Sequence, residues 1–416
     1  MKHMTTRQRL VAGAVLAGML VPGAFASTAA AQDWTQWRGP NRDGVAAAFD
    51  VPSAWPDALR KQWTVEVGSG YATPLLVGDR LYLFVRQGDD EVMLALDPGT
   101  GQEIWRSAYP APFEMNPATN PHGPGPKSTP AYADGRLFTL GMSGIVSAFD
   151  TDGGELLWQV PGTPVEPLYH TAMSPVVDGD IVIFHVGGHD DGALTAYDTA
   201  TGEVRWSWDG DGPAYGSPRV MDIEGVRQVV TYTQANVVGV AVQTGELLWR
   251  RPFTTEYDTT SQTPLRYGDI FLQTGRGGGI TAYRVLREGN AWTTEDVWQT
   301  SEVALHMTNG VVTDGVLFGL SYLNSGQYFG LDLETGEVLW TGNPRQAENA
   351  SILRSGSTVL SLQDDAELLV VSASRTGLDV VASYEVADSV TWTQPTLVGN
   401  RLYVKDIETL TLWTLE

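Results

Sequence analysis

The sequence predicts an all-β protein: an eight-bladed β-propeller with four antiparallel strands per blade, closed by an amino-terminal strand that completes the last blade. Three observations predict it. An eleven-residue motif recurs along the chain, a proline-containing strand signature recurs upstream of most copies, and the two ends carry complementary parts of one unit. Repeats of roughly 40 residues indicate stacked supersecondary units, and closing such an array into a ring hides its sheet edges.

The motif consists of a small residue followed by Asp two positions later, Gly six later and Trp ten later. It occurs at Ala95–Trp105 and, with the same four residue types, at 148–158 and 196–206. Copies at 239–249 and 330–340 each differ at one position. A Gly-containing turn between two apolar segments predicts a β-hairpin, and the Trp is expected to pack between neighbouring blades.

Aromatic residues at the end of the motif give the number of blades. Eight of them recur at intervals of 42 to 53 residues: Trp63, Trp105, Trp158, Trp206, Trp249, Trp298, Trp340 and Tyr384. We interpret five as structural docking residues, namely Trp105, Trp158, Trp206, Trp249 and Trp340. Eight anchors predict eight blades.

A second signature predicts the inner two strands of each blade. A Ser, Thr or Gln followed by Pro precedes an apolar strand, a Gly-centred turn and another apolar strand, as at Thr73-Pro74 and Thr129-Pro130. The last unit, 391–416, supplies only three strands, whereas 61–67 is a single Trp-bearing strand. The amino-terminal strand is therefore expected to complete the last blade. A linear solenoid is the alternative, but its repeats are shorter.

Three segments lie outside the predicted blades. Residues 1–31 combine Lys2, two arginines, an apolar stretch and small residues, a pattern typical of a cleaved signal peptide. Residues 32–60 hold three tryptophans and a turn cluster, which predicts an amino-terminal extension packed on the ring formed by 61–416. Residues 109–130 contain seven prolines, which favours a stiff loop across one face.

Composition narrows the compartment and the partners. The chain has 26 Lys and Arg against 49 Asp and Glu, a net charge of −23, and no cysteine. Such an acidic chain repels phosphate backbones, so we expect no nucleic-acid partner. We expect no membrane insertion and no lipid anchor either, because the apolar stretch is short and the acylated cysteine of a lipoprotein is missing. The sequence thus predicts a soluble periplasmic or secreted monomer.

The repeats resemble the PQQ-like (pyrroloquinoline-quinone-binding-like) β-propeller superfamily, which includes quinoprotein dehydrogenases and the outer-membrane assembly factor BamB. The units at 95–105, 148–158 and 196–206 are similar to its tryptophan-docking motif. Residues 36–44 (QWRGPNRDG) and 122–130 (HGPGPKSTP) resemble an exported bacterial branch without a settled activity. The chain departs from the dehydrogenases in having no cysteine pair and no calcium ligands that can be mapped, and from BamB in having no acylated cysteine.

Candidate site residues follow from the predicted architecture. Loops that lead into the first strands form a funnel over the central channel, a concave place for ligands. The residue three positions before each blade-opening proline is Tyr71, Lys127, Ala172, Tyr215, Ser261 or Trp392, and His170 and His306 lie in corresponding loops. We name six candidate ligand-binding residues: Tyr71, Lys127, His170, Tyr215, His306 and Trp392. Packing of the ring's mouth is the alternative interpretation.

No catalytic or metal-binding residue is assigned from the sequence. Residues 187–192 (GGHDDG) and 209–212 (DGDG) are interpreted as turns rather than cation sites, since the later ligands of a calcium loop are missing. The leading hypothesis is a non-catalytic propeller that binds a protein or a small ligand through its funnel. The alternatives are a dehydrogenase using pyrroloquinoline quinone (PQQ) with calcium, and a hydrolase or lyase with two facing carboxylates.

Overall fold

The computed structural model describes residue 1 and residues 33–416, except 48, 50 and 113. The predicted signal peptide therefore lies outside the described residues. None of the described helices is long and apolar enough to span a bilayer. The helices that precede or interrupt the strands are short 3-10 segments, at Pro117–His122, Glu256–Asp258 and Leu323–Ser325.

The described residues form eight four-stranded antiparallel sheets, which confirms the predicted eight-bladed propeller. The amino-terminal strand is β1 (Arg60–Glu66). Blade 1 contains β2 (Leu75–Val77), β3 (Arg80–Gln87), β4 (Asp90–Leu96) and β5 (Glu103–Pro110), and blade 2 contains β6 (Ala131–Ala133), β7 (Arg136–Leu140), β8 (Val146–Asp150) and β9 (Leu156–Val160). Blades 3 and 4 contain β10 (Val176–Asp178), β11 (Ile181–Gly188), β12 (Asp191–Asp198), β13 (Val204–Trp208), β14 (Arg219–Ile223), β15 (Val226–Tyr232), β16 (Asn236–Ala241) and β17 (Leu247–Pro252).

The second half of the ring repeats the pattern. Blades 5 and 6 contain β18 (Leu265–Tyr267), β19 (Ile270–Thr274), β20 (Ile280–Glu288), β21 (Ala291–Thr300), β22 (Val311–Thr313), β23 (Val316–Ser321), β24 (Gln327–Asp332) and β25 (Val338–Thr341). Blade 7 contains β26 (Ala350–Ser355), β27 (Thr358–Gln363), β28 (Glu367–Ser374) and β29 (Gly377–Glu385). Blade 8 contains β30 (Thr396–Val398), β31 (Arg401–Lys405) and β32 (Thr409–Thr414) together with β1.

Ring closure follows the predicted route. The amino-terminal strand β1 pairs antiparallel with the carboxy-terminal strand β32, so the eighth sheet has the order β1-β32-β31-β30. Joining the two chain ends in one sheet covers the edge of β32, which an open array would leave unpaired.

The repeated motif organises the outer half of each blade. Its Trp lies on the fourth strand opposite the small residue of the third, as in the pairs Ala148–Trp158 and Gly330–Trp340. The indole ring of the Trp covers the small residue so closely that a Cβ added at Gly330 would approach the Trp340 indole to 2.5 Å. Register shifts consistent with a β-bulge follow the small residue, for example between Ala148 and Phe149.

The same Trp side chains connect neighbouring blades. Trp105 of blade 1 donates its indole N–H to the carbonyl oxygen of Thr151 in blade 2, at 3.1 Å, and its ring lies on Gly154. Trp158 and Trp206 make the equivalent bonds to Thr199 and Val242. Trp249 differs, because its indole N–H donates to the Gln228 side chain within its own blade.

The innermost strands surround a central channel and give it two ends. Neighbouring first strands such as β6 and β10, or β22 and β26, lie side by side. The chain enters each first strand at one face of the ring and turns into the second strand at the opposite face. We call these the funnel face and the turn face. Residues before the blade-opening prolines therefore converge on the funnel face.

Candidate functional site

A cavity of about 420 Å³ occupies the channel at the funnel face. The residue three positions before the blade-opening proline lines this cavity in each of the six blades that keep the proline: Tyr71, Lys127, Ala172, Tyr215, Ser261 and Trp392. They converge because the first strands start at equivalent heights around the ring, so one position in the repeat maps onto one level of the channel. We call this cavity the funnel.

Blades 6 and 7 lack the proline but contribute to the same cavity. His306, Met307 and Asn309 come from the loop before β22, and Asn349 precedes β26. The His306 imidazole lies 3.3 Å from the Thr259 hydroxyl and packs edge-on against Tyr322. Burial lowers the pKa of His306 to about 4, so this ring is neutral at physiological pH.

His170 does not line the funnel, unlike the five other candidate residues. Its side chain is buried, with Nδ1 2.7 Å from the Glu166 carboxylate and Nε2 accepting the backbone N–H of Asn116 at 3.2 Å. Its backbone has φ +64°, which turns the side chain toward the neighbouring loop. His170 is nevertheless on the funnel face, because the carbonyl of the adjacent Tyr169 accepts a 2.8 Å hydrogen bond from Lys127.

Lys127 and Arg276 bring positive charge to the funnel. Burial lowers the pKa of Lys127 to about 8, which leaves the amine mostly protonated at neutral pH. Arg276 is more exposed and forms a 3.1 Å ion pair with Glu256. Among the described residues that line the cavity there is no Asp or Glu. In a chain of net charge −23, this lining is an electrostatic exception.

Several lining residues were not among the six candidates from the sequence, including Trp37, His122, Tyr169 and Arg276. His122 ends the 3-10 helix of the proline-rich loop, and its ring packs edge-on against Trp392 at 4.7 Å and Tyr71 at 6.2 Å. The proline content of that loop predicted its stiffness. The sequence nominated Lys127 of this loop for the funnel, but nothing in it indicated that His122 would reach the funnel as well.

The floor of the funnel comes from the amino-terminal extension. Trp37 lines the cavity and donates its indole N–H to the Thr263 hydroxyl at 2.8 Å. The next residue, Arg38, lines a second cavity of about 630 Å³ that reaches the turn face. Residues 36–44 thus lie across the channel between the two cavities. We call this segment the plug.

Two buried arginines hold the plug in place. Arg42, 3% exposed, donates to the backbone carbonyls of Ser174, Pro175 and Pro218 in blades 3 and 4. Arg38 donates to the carbonyls of Asn309, at 3.1 Å, and Gly310, at 2.7 Å. Burial lowers the pKa of Arg42 to about 9 and that of Arg38 to about 10, so both remain charged at neutral pH. Backbone oxygens and the Gln36 side-chain oxygen, rather than carboxylates, accept their hydrogen bonds.

The funnel lining can be compared with what PQQ and calcium require. Aromatic rings and Lys127 suit a planar anionic ring. Calcium takes six to eight oxygen ligands, usually including carboxylates, whereas the lining offers Asn309, Asn349 and hydroxyls. Within the described part of the chain, no three or more His, Cys, Asp or Glu side chains cluster as metal ligands. The donor set therefore suits the quinone ring but does not fit the calcium ion.

The structure confirms the hairpin turn predicted at 187–192, whereas residues 209–212 form a bend within a longer loop. Residues 187–192 span the end of β11, a tight reversal and the start of β12, with Gly188 paired to Asp191. Asp211 accepts hydrogen bonds from Thr233, Ala235 and Asn236, which organise a loop.

Fold and channel together define a PQQ-like β-propeller. The family model described as "Outer membrane protein assembly factor BamB" matches residues 88–342, and the chain belongs to this family. It is 24% identical to the outer membrane protein assembly factor BamB of Shewanella oneidensis over 362 residues, which covers 83% of this chain and 76% of that protein.

The sequence alignment with a dehydrogenase covers a smaller part of this chain, whereas the structural superposition covers most of the fold. Subunit 1 of the methanol dehydrogenase [cytochrome c] of Methylorubrum extorquens is 29% identical over 174 residues, 37% of this chain and 26% of that protein. The crystal structure of quinohemoprotein alcohol dehydrogenase from Comamonas testosteroni superimposes with a TM-score of 0.68 at 13% identity, covering 92% of this chain and 80% of that one. At 13% sequence identity, this superposition shows similarity of the fold alone.

Proposed function

We propose that this protein is a non-catalytic binding propeller that recognises a segment of a partner polypeptide through the funnel. The observation that carries the proposal is the lining itself: aromatic side chains surround a cavity that holds Lys127 and Arg276, and the described lining residues include no carboxylate. Trp, Tyr and Arg are the residues that most often dominate binding energy at protein interfaces. Membership of the BamB family, whose name denotes an assembly factor, supports the same class of function.

The rim of the funnel supports a polypeptide partner rather than a ligand confined to the cavity. Leu168, Tyr257 and Met307 are 51%, 67% and 46% exposed, and all three lie in loops of the funnel face. Within the cavity, the buried Tyr71 hydroxyl forms no hydrogen bond among the described residues. A buried polar group without a partner is unfavourable, so a bound segment that pairs with it would gain affinity.

The charge of the funnel indicates the composition of the bound segment. Lys127 and Arg276 favour acidic residues, and the rings of Tyr215 and Trp392 favour aromatic or apolar ones. We propose that the segment combines aromatic and acidic side chains. Export through the predicted signal peptide belongs to the same proposal, and amino-terminal sequencing of the secreted protein, with Ala31 as the last residue removed, tests it.

Fluorescence anisotropy with a defined peptide tests the proposal. A labelled ten-residue peptide of alternating Phe and Asp is titrated with the protein, beside a matched peptide of alternating Phe and Lys. We expect saturable binding of the acidic peptide and at least tenfold weaker binding of the basic one. Trp392→Ala and Tyr215→Ala should each weaken binding by about tenfold or more.

A matched control uses an exposed residue on another surface. Val380, on the outermost strand of blade 7, is 53% exposed, and Val380→Ala should leave peptide binding unchanged. Equal binding of both peptides, or equal loss in the control, would contradict recognition by the funnel.

A PQQ-dependent dehydrogenase is the second candidate function, favoured by the aromatic and cationic lining of the funnel. The described residues of the lining do not supply the carboxylates expected around calcium, which places this candidate second. Titration with PQQ, with and without calcium, tests it through quenching of Trp37 and Trp392 fluorescence. Saturable, calcium-dependent quenching accompanied by a higher Tm would favour the dehydrogenase over the binding propeller.

A further inference from the structure

The second cavity of the channel has a different lining from the funnel. It contains the arginine side chains of Arg38, Arg42, Arg219, Arg266 and Arg354, together with the carboxylates of Asp43 and Asp314. Its volume is about 630 Å³, and it lies between the plug and the turns that follow the first strands of blades 5 to 7. We call it the arginine cavity.

Four of the five guanidinium groups have backbone partners. The plug arginines donate to carbonyls of the channel wall, as described above. Arg266 donates to the carbonyl oxygens of Gly268, at 2.7 Å, and Asp222, at 2.6 Å. Arg354 donates to Gly356 at 3.4 Å, while its buried Nε has no hydrogen-bond partner among the described residues. Carbonyls orient these groups without neutralising them, and the Asp43 carboxylate offsets part of the positive charge at Arg38 and Arg219.

Arg219 has no such partner. It lies at the start of β14 and is half-buried, and among the described residues its guanidinium forms neither a hydrogen bond nor an ion pair. The ion pairs of the described chain involve other arginines, for example Arg227 with Asp178 and Arg284 with Asp269. Burial lowers the pKa of Arg219, the charge of Asp43 opposes this shift, and the charge of Arg266 makes a smaller lowering contribution.

An unpaired guanidinium in a partly desolvated cavity is costly. A guanidinium offers five N–H donors in a rigid fork, the arrangement that suits oxyanions of phosphate and carboxylate type. Here the forks come from blades 4, 5 and 7, and thus from several directions around one space. A tetrahedral anion, whose oxygens point in several directions, satisfies such an arrangement better than a planar carboxylate.

We propose that the arginine cavity is a binding site for a small tetrahedral oxyanion, a phosphate or sulfate group, with Arg219 as its direct ligand. Arg266 and Arg354 complete the positive surroundings from the neighbouring blades. The site lies on the other side of the plug from the funnel and does not depend on the function proposed for the funnel. The net charge of −23 makes an anionic membrane surface an unfavourable source of the phosphate.

Isothermal titration calorimetry of the full-length protein tests this site with inorganic phosphate, inorganic sulfate and succinate as probes. We expect saturable binding of phosphate or sulfate, at least tenfold weaker binding by Arg219→Gln, and an intermediate affinity for Arg219→Lys. The matched control is Arg284→Gln, which removes an exposed arginine ion-paired with Asp269 and should bind like the unmodified chain.

Thermal unfolding separates binding from folding. Without phosphate, Arg219→Gln should unfold at the same temperature as the unmodified protein or higher, because the variant no longer buries an unpaired charge. Added phosphate should raise the Tm of the unmodified protein and of Arg284→Gln, but not that of Arg219→Gln.

Three results would overturn the proposal. They are no saturable heat with phosphate and sulfate, binding of succinate alone, or equal binding by Arg219→Gln. Sedimentation with phosphatidylglycerol vesicles distinguishes a lipid source: we expect no co-sedimentation, and Arg219-dependent co-sedimentation would contradict the assignment to a small soluble ligand.

Discussion

The two halves of the central channel differ in how their linings arise. Six residues of the funnel lining share one position of the repeat, three residues before the blade-opening proline, and the lining combines aromatic rings with the half-buried Lys127. The arginine cavity is built from the plug and from single residues of separate blades, and it presents guanidinium groups. A symmetric ring thus carries two chemically distinct cavities because one non-repeated segment, residues 36–44, lies between them.

Among the predicted changes to the plug that separates the two cavities, removal of an arginine should have the largest effect on the free energy of unfolding. Arg42→Leu leaves three buried backbone carbonyls without their donor, at roughly 1–3 kcal/mol for each unsatisfied group, partly offset because a charge is no longer buried. We expect the free energy of unfolding to fall by about 3 kcal/mol, as measured by guanidinium chloride denaturation. Arg205→Leu removes an exposed arginine paired with Asp180 and should cost less than about 1 kcal/mol. Equal losses would show that the plug does not depend on Arg42.

Addition of a side chain at Gly44 should have the second-largest effect on the stability of the plug. This residue has φ +75°, and an added Cβ would lie 2.8 Å from Nη2 of Arg38 and 3.1 Å from the Ile352 carbonyl oxygen. Gly78, with φ +57° and no atom within 4 Å of the added Cβ, is the matched control. Both Ala variants incur about 1 kcal/mol for a left-handed backbone, and Gly44→Ala should lose about 1 kcal/mol more. Equal denaturation midpoints for the two variants would rule out crowding at the plug.

Trp37→Phe should weaken the floor of the funnel while keeping an aromatic ring. The variant loses the hydrogen bond to Thr263, worth about 1 kcal/mol of unfolding free energy. We expect weaker binding of the Phe-Asp peptide and unchanged binding of phosphate, measured by anisotropy and calorimetry. Trp292→Phe, at a hairpin of blade 5, serves as the control. A parallel change in the affinities for peptide and for phosphate would show that the plug does not isolate the two cavities.

The smallest expected effect is the pH dependence of binding affinity, which should differ between the two cavities. Lys127, with a pKa of about 8, is mostly protonated at pH 7 and mostly neutral at pH 9. Affinity for the Phe-Asp peptide should therefore fall about threefold, or roughly 0.7 kcal/mol, as the pH rises between these values, while Arg276 keeps its charge. Lys127→Met should abolish the dependence. A pH profile that persists in this variant would assign the titration to another group.

Much of the site could be predicted because the ring repeats. The first strand of each blade starts at an equivalent level, so Tyr71, Tyr215 and Trp392 line one cavity although they are far apart in sequence. His170 is outside this register, and its backbone φ of +64° and its contact with Glu166 direct the side chain away from the funnel. Sequence neighbours can therefore share a face of the propeller without sharing its cavity.

The sequence by itself determined the architecture: eight recurring aromatic anchors, a Trp opposite a small residue in each well-preserved unit, and complementary ends that close the ring. These features repeat, and local hydrophobic patterns and turn glycines encode them. Only the tertiary structure decided that the extension enters the channel and that Arg219, Arg266 and Arg354 face one space with Arg38 and Arg42. Such positions have no common spacing, because they meet only after the ring has closed around the plug.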